Sequence, residues 1–172
     1  MKSKNPYLYN LLVLNVGVLF ISTSGVLGRY ILLPPPVSIW FRSLIAIFIL
    51  LLYCRYKKFT FKIKWEKYGL AVFCSGFLMA LHWITYFFAL QWSNVAIGML
   101  SLFTYPIITV FLEPLFLPVK LQKRHLFLGI LILFGIYFLV PDFNIQNTST
   151  QGLLIGLFSA VSYSLRNIIL KK

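Results

Sequence analysis

Arg42 and His82 are the two basic side chains best placed for chemistry inside the apolar part of this sequence. Arginine binds anionic groups through a planar fork of N–H donors, and histidine titrates near neutral pH. Arg42 is interpreted either as an anchor for an anionic group or a partner helix, or as a side chain that snorkels to the membrane interface. His82 is interpreted either as a proton-coupling group or as a hydrogen-bonding partner in helix packing.

Polar and aromatic residues occur at comparable depth in the neighbouring apolar segments, and Pro106 with Tyr105 beside it lies at the middle of one of them. We predict that all of these residues line a solute path with Arg42 and His82. These further residues are Ser22, Ser24, Trp83, Tyr86, Ser101, Thr104, Tyr105 and Pro106. Pro106 has no N–H, so it deprives the carbonyl of Leu102 of its helical donor and bends the segment. Interrupted helices near the membrane midplane mark many transporter sites.

Two further sets of residues predict helix packing rather than solute binding. Glu113 and Arg166 are expected at similar depth, either as a buried ion pair or as two side chains that reach the headgroups separately. A small-residue stripe recurs at four-residue intervals near the end of the chain: Gly152, Gly156, Ala160 and Ser164. Small residues let another helix approach closely, and we expect this stripe to face partners outside the chain.

Catalytic and metal-binding patterns are missing from the sequence. There are 3 acidic residues and 2 histidines, with no HExxH and no phosphate-cradling GxxxxGK[ST] motif. Cys54 and Cys74 have neither CxxC spacing nor another paired metal-ligand spacing. We therefore expect no catalytic residue, no metal and no cofactor, and the protein is predicted not to be an enzyme.

The elements that must position these residues are membrane helices. Sixty per cent of the 172 residues are hydrophobic and the mean hydropathy is +0.87, whereas soluble domains are about 45–50% apolar. A bilayer crossing needs about 20 mainly apolar residues. Six segments fit, called spans 1 to 6: Tyr7–Leu27, Val37–Tyr53, Tyr68–Leu90, Val95–Leu117, Leu126–Val140 and Gly152–Leu170. The predicted fold is an all-α membrane protein of about six transmembrane helices.

Basic residues are distributed by loop, which predicts the orientation. Thirteen of the 16 Lys and Arg residues precede span 1, lie between spans 2 and 3 or spans 4 and 5, or follow span 6. The alternate loops hold Arg29 as their only base, and the loop 141–151 has none. Positive loops are cytoplasmic, so both termini are predicted inside a multi-pass protein of the inner membrane. Because the charge of +13 is not gathered on one face, nucleic acid is not an expected partner, whereas lipid is.

An internal repeat is visible between the first and last spans. Arg29-Tyr-Ile-Leu-Leu33 is similar to Arg166-Asn-Ile-Ile-Leu170, and Ser22 and Ser159 lie at matching distances upstream. Span 1 is predicted to run outward and span 6 inward. An inverted repeat of five helices produces this relationship, because an odd number of helices turns the second copy upside down.

The order of several motifs resembles the EamA-type transporters of the drug/metabolite transporter superfamily. The matching features are Ser22-Thr-Ser24 to Arg29, Arg42, the stretch Tyr86-Phe-Phe-Ala-Leu-Gln-Trp-Ser-Asn-Val-Ala-Ile-Gly98, Tyr105-Pro106, Glu113, and the segment from Gly129 to Gly135. The resemblance implies ten helices in two inverted five-helix units around a central solute path. Residues 1–141 would then be one unit, and 142–172 an external loop with the first helix of a second, incomplete unit.

The resulting hypothesis is a secondary carrier for small-molecule solutes, which the resemblance implies to be an exporter of small metabolites such as amino acids, in full-length or truncated form. The expected partners are lipid, the solute and a second five-helix unit. The alternative is a non-transporting membrane subunit or inactive fragment whose helices only pack. A channel is a third possibility, and it would need a continuous pore lined by polar groups. One Arg and one His form a ring around such a pore only if the chain oligomerises.

Overall fold

The computed structural model describes residues 6–59, 65–121, 123–139 and 144–171. The described residues form seven α-helices: α1 Pro6–Tyr30, α2 Pro35–Tyr56, α3 Trp65–Trp92, α4 Val95–Leu102, α5 Tyr105–Phe116, α6 Lys123–Leu139 and α7 Thr148–Ile169. The predicted domain boundary at 141/142 lies outside the described residues, as do Lys2, Lys4, Lys62, Lys64, Asp142, Lys172 and the end of span 5 at Val140.

The helix count confirms the predicted fold class. Within the described ranges, five helical segments are long and apolar enough to cross a membrane, with α4 and α5 counted together as Val95–Phe116. The apolar part of α6, Phe127–Phe138, is shorter. The chain is therefore an all-α, multi-pass membrane protein with about six spans, and its exposed apolar side chains are suited to a lipid environment.

Proline determines where α2 begins. Pro34 has an extended backbone and caps the helix, while Pro35 occupies its first turn. A proline is tolerated there because the first-turn N–H groups have no helical acceptor. At the other end α2 continues to Tyr56, so the helix has 22 residues and is longer than the predicted span Val37–Tyr53.

The fourth predicted span is interrupted, as expected from Pro106. α4 ends at Leu102, and α5 starts at Tyr105 with Pro106 in its first turn. The two residues between them are Phe103 and Thr104. The missing N–H of Pro106 removes one of the hydrogen bonds that would join the two helices, and Ile107 N bonds instead to the Thr104 carbonyl, where the new helix begins.

α7 occupies the centre of the helix packing, with its most extensive contacts to α3 and further contacts to α5 and α4. Its small-residue stripe is buried: Gly152, Gly156, Ala160 and Ser164. Gly152 lies against Ser93, and Gly156 lies against Ser101. The expectation that this stripe faces partners outside the chain is therefore wrong. Small side chains indicate that some helix approaches closely, and they do not indicate which one.

α1 and α2 lie outside this packed centre. Both contact α3, and α1 also contacts α4. Most of their large apolar side chains are exposed. The side chain of Gln91 at the end of α3 ties their connection in place, because its Nε2 donates to the carbonyls of Ile31 at 2.9 Å and Leu33 at 3.1 Å.

Candidate functional site

A cavity of about 590 Å³ lies where α1, α2 and α3 meet the α4–α5 break and α7. Its lining residues are Val18, Ile21, Ser22, Ser24, Gly25, Arg42, Met79, His82, Trp83, Tyr86, Met99, Leu102, Phe103, Tyr105 and Tyr163. The volume falls within the range of about 300–1,000 Å³ typical of small-molecule sites. Seven of the ten residues predicted to line the solute path lie on this one cavity: Ser22, Ser24, Arg42, His82, Trp83, Tyr86 and Tyr105.

Arg42 projects from α2 toward α1 and α3. Its Nη1 donates a hydrogen bond of 3.0 Å to Ser24 Oγ. The guanidinium carbon lies 4.4 Å from the centroid of the Trp83 ring, a cation–π distance. Arg42 therefore contacts both neighbouring helices while its side chain stays exposed, and its role as an anchor for an anionic group stays a prediction.

His82 is buried at the contact between α3 and α7, with 3% of its surface exposed. The Ser159 hydroxyl donates to the His82 carbonyl at 2.8 Å. The His82 Nδ1 lies 2.9 Å from Ser159 Oγ and 3.2 Å from the Ser159 carbonyl oxygen. Either Nδ1 donates to Ser159 or the Ser159 hydroxyl donates to Nδ1, according to the tautomer of the imidazole. The geometry supports the helix-packing interpretation of His82.

Aromatic rings form much of the cavity wall. The Trp83 and Tyr86 ring centroids are 6.1 Å apart in an edge-on arrangement. Tyr163 of α7 lies 4.7 Å from the His82 ring and 4.8 Å from the Tyr105 ring, again between centroids. Edge-on aromatic contacts are favourable and hold these rings in defined orientations.

Three of the predicted path residues lie away from this cavity. Ser101 is fully buried at the α4–α7 contact and donates to the Gly98 carbonyl at 2.9 Å. Thr104 is buried at the break and donates to the Ser101 carbonyl at 2.7 Å. Pro106 lines a separate apolar cavity of about 250 Å³ between α5 and α6. These residues shape the interrupted helix rather than the cavity surface.

The predicted pair between Glu113 and Arg166 is wrong. Glu113 forms an ion pair with Lys171, just beyond the end of α7. Arg166 Nη1 instead donates to Asn167 Oδ1 at 3.1 Å. Lys171 lies five residues after Arg166, about 7.5 Å further along the helix direction and just past the end of α7. From that position its long, flexible side chain reaches the Glu113 carboxylate.

Sequence reasoning gave two α7 residues no role at the site, although it had noted Ser159 in the internal repeat. Tyr163 lines the cavity, and Ser159 holds His82. They lie four residues apart, hence on one helix face. The sequence did contain an indication of this polar face. Hydroxyl groups are frequent in one run of the apolar span, Ser159-Ala-Val-Ser-Tyr-Ser164. In the described part of the chain, no three His, Cys, Asp or Glu side chains cluster as a metal site would require.

A family model matches the chain over residues 8–140, and the family is described as the EamA-like transporter family. The matched range contains nearly all of α1 and all of α2 to α6, and ends before α7. It also contains every cavity-lining residue except Tyr163. No curated protein and no solved structure matches the chain.

Proposed function

The chain belongs to the EamA-like transporter family, and on that premise we propose that it is a secondary carrier that exports small metabolites, such as amino acids, across the cytoplasmic membrane. The observation that carries the proposal is the cavity around Arg42. A charged side chain within a membrane helix is expensive and commonly belongs to a substrate or ion pathway. Here it lies on a cavity of small-molecule size together with hydroxyl and aromatic groups.

The helix interruption supports the same function. Phe103, within the break, and Tyr105, at the start of α5, both line the cavity. A chain that changes direction beside a solute site can adjust locally, because fewer helical hydrogen bonds join the two halves. Discontinuous helices of this kind form the binding sites of many secondary transporters. In this proposal the α4–α5 break changes conformation as the solute passes.

A second five-helix unit is part of this proposal. Residues 1–141 act as one unit, and 142–172 contain the first helix of the other. The internal repeat pairs Ser22 with Ser159, yet their surroundings differ. Ser159 is fully buried and bonded to His82, whereas Ser22 is exposed and donates only within α1, to the Leu19 carbonyl at 2.8 Å.

The same difference extends along α1. Asn15 and Thr23 are exposed, and both hydrogen-bond to carbonyls of their own helix. Polar side chains commonly hydrogen-bond across helix interfaces in membranes. By the repeat relationship, the second unit would cover this face of α1 in the way that α3 covers α7. The completed carrier would then enclose the solute path between its two halves.

The test is solute export from the membrane in which the chain naturally occurs. Inverted membrane vesicles from cells that make the chain would be compared with vesicles from cells lacking its gene, after incubation with amino acids and organic acids. Solute accumulation would be followed by mass spectrometry. We expect the accumulation of at least one solute to require the chain. The Arg42→Gln variant should not accumulate that solute, although its protein level is normal.

Arg55→Gln is the matched control, because Arg55 is also an exposed arginine of α2 but lies in its last turn, away from the cavity. It should transport normally. Identical solute profiles with and without the chain would refute the carrier and favour a non-transporting membrane subunit. Normal transport by Arg42→Gln would instead remove the cavity from the solute path.

A further inference from the structure

Arg42 has only neutral partners in the described part of the chain. Its hydrogen bond goes to the Ser24 hydroxyl, and its guanidinium carbon lies over the Trp83 ring. The two described carboxylates lie elsewhere. Glu113 pairs with Lys171, and Glu66 occupies the first turn of α3, sixteen residues or about 24 Å along the helix from His82.

An arginine without a counter-charge is a strong site for an anion in this setting. The guanidinium has five N–H donors, and Ser24 accepts from only one of its nitrogens. A carboxylate accepts two parallel hydrogen bonds from the guanidinium fork, and such charge-assisted pairs are about twice as strong as neutral hydrogen bonds. Binding an anion would also offset the cost of holding the positive charge in the membrane.

The other cavity-lining side chains indicate the chemistry of the part of the ligand that does not contact Arg42. Aromatic rings of Trp83, Tyr86 and Tyr163 form one part of the wall, and Met79 and Met99 contribute polarisable thioethers. Thioethers and aromatic rings both favour contact with an aromatic ligand. No described carboxylate lines this cavity, so a ligand ammonium group would find no anionic partner there.

We propose that the Arg42 cavity binds a small monocarboxylate with an apolar, preferably aromatic, body, and prefers it to the corresponding amino acid. The carboxylate would occupy the free donors of Arg42, and the body would lie against the rings of Trp83 and Tyr86. This inference rests on the proposed carrier function, and among small metabolites it assigns the cavity to monocarboxylates in preference to amino acids. An α-ammonium group would be desolvated without compensation by a negative charge.

The test uses Trp83 as a reporter in the whole chain. Phe replaces the other tryptophans, Trp40, Trp65 and Trp92, and the protein is placed in phosphatidylcholine nanodiscs. The probes are 3-phenylpropionate, phenylalanine, 3-phenylpropanol and phenethylamine, which share the ring and differ in charge. We expect a saturable change in Trp83 fluorescence with 3-phenylpropionate. The affinity for each of the other three probes should be lower than that for 3-phenylpropionate by roughly ten-fold or more.

Variants then assign the charge recognition. Arg42→Gln should weaken 3-phenylpropionate binding roughly ten-fold or more, and Arg42→Lys should have an intermediate effect because lysine keeps the charge but loses the fork. Arg55→Gln should bind like the parent. The probe series on the parent chain needs no Arg42 variant, so it remains decisive if a variant fails to fold. Equal affinity for acid, alcohol and amine would overturn the proposal.

Phospholipid headgroups are the other source of an anion. Repeating the titration in nanodiscs containing phosphatidylglycerol should leave the affinity unchanged, whereas competition by this lipid would overturn the proposal in favour of a headgroup site. Failure of the ligand class is distinguishable from failure of the carrier. Binding of 3-phenylpropionate without chain-dependent export of any solute would refute the carrier alone. Export without selective acid binding would refute the ligand class alone.

Discussion

Gly156 of α7 and Ser101 of α4 are in contact so close that α7 has no room for a side chain there. A Cβ at Gly156 would lie 2.7 Å from the Ser101 Cβ. Real Cβ atoms essentially never approach a neighbour this closely, so one helix must move if the methyl group is added. The contact fixes the distance between α7 and the helix that precedes the break.

Gly156→Ala should therefore destabilise the protein, because overpacking a close-packed contact typically costs about 1–3 kcal/mol. We expect a lower unfolding temperature, measured by intrinsic fluorescence in detergent. Adding Ser101→Gly, which removes the opposing Cβ, should recover part of the loss. Gly135→Ala on α6 is the control, since no atom lies within 4 Å of its added Cβ. Similar losses from both alanine variants would contradict a specific α4–α7 contact.

His82→Ala should also lower stability, because it removes the side-chain bonds from α3 to Ser159 of α7. Leaving buried polar groups unpaired costs about 1–3 kcal/mol. His82→Asn should retain more stability, since its amide supplies an N–H donor. His125→Ala on α6 serves as the matched histidine control. A destabilisation confined to His125→Ala would contradict the helix-packing role of His82.

The orientation predicted from the basic loops can be measured with single cysteines in a background lacking Cys54 and Cys74. A cysteine at Gln146, an exposed residue just before α7, should react with an impermeant maleimide from outside intact cells. A cysteine at Lys62, which lies between α2 and α3 in the sequence, should react only after permeabilisation. The expectation follows from the excess of Lys and Arg in cytoplasmic loops. The reverse labelling pattern would invert the proposed topology.

The second five-helix unit leads to a prediction about reconstituted protein. The purified 172-residue chain should be folded, because the small-residue stripe of α7 is buried within it. Alone in proteoliposomes it should not transport the solute identified in native vesicles. Adding a second five-helix unit should recover transport. Robust transport by monomeric chain alone would refute the two-unit carrier.

The membrane character, the approximate number of spans and the family were determined by the sequence alone. These properties depend on segment hydrophobicity and on motif order along the chain. The interruption near Pro106 was equally predictable, because a missing N–H breaks the local hydrogen-bond pattern in any surroundings. Six of the seven cavity residues were found from their predicted depth, which helix rise alone provides, and Tyr105 was found from its position beside Pro106.

Only the tertiary structure decided which residues meet. Contact between helices depends on how each helix is rotated about its axis and on which neighbour it approaches. The depth of a residue in the membrane specifies neither of these. Tyr163 was therefore missed, and Glu113 was assigned to Arg166 instead of Lys171. The buried stripe of α7 shows the same limit. Its small residues permit close packing with any complementary helix, and the folded chain places α3, α4 and α5 against α7.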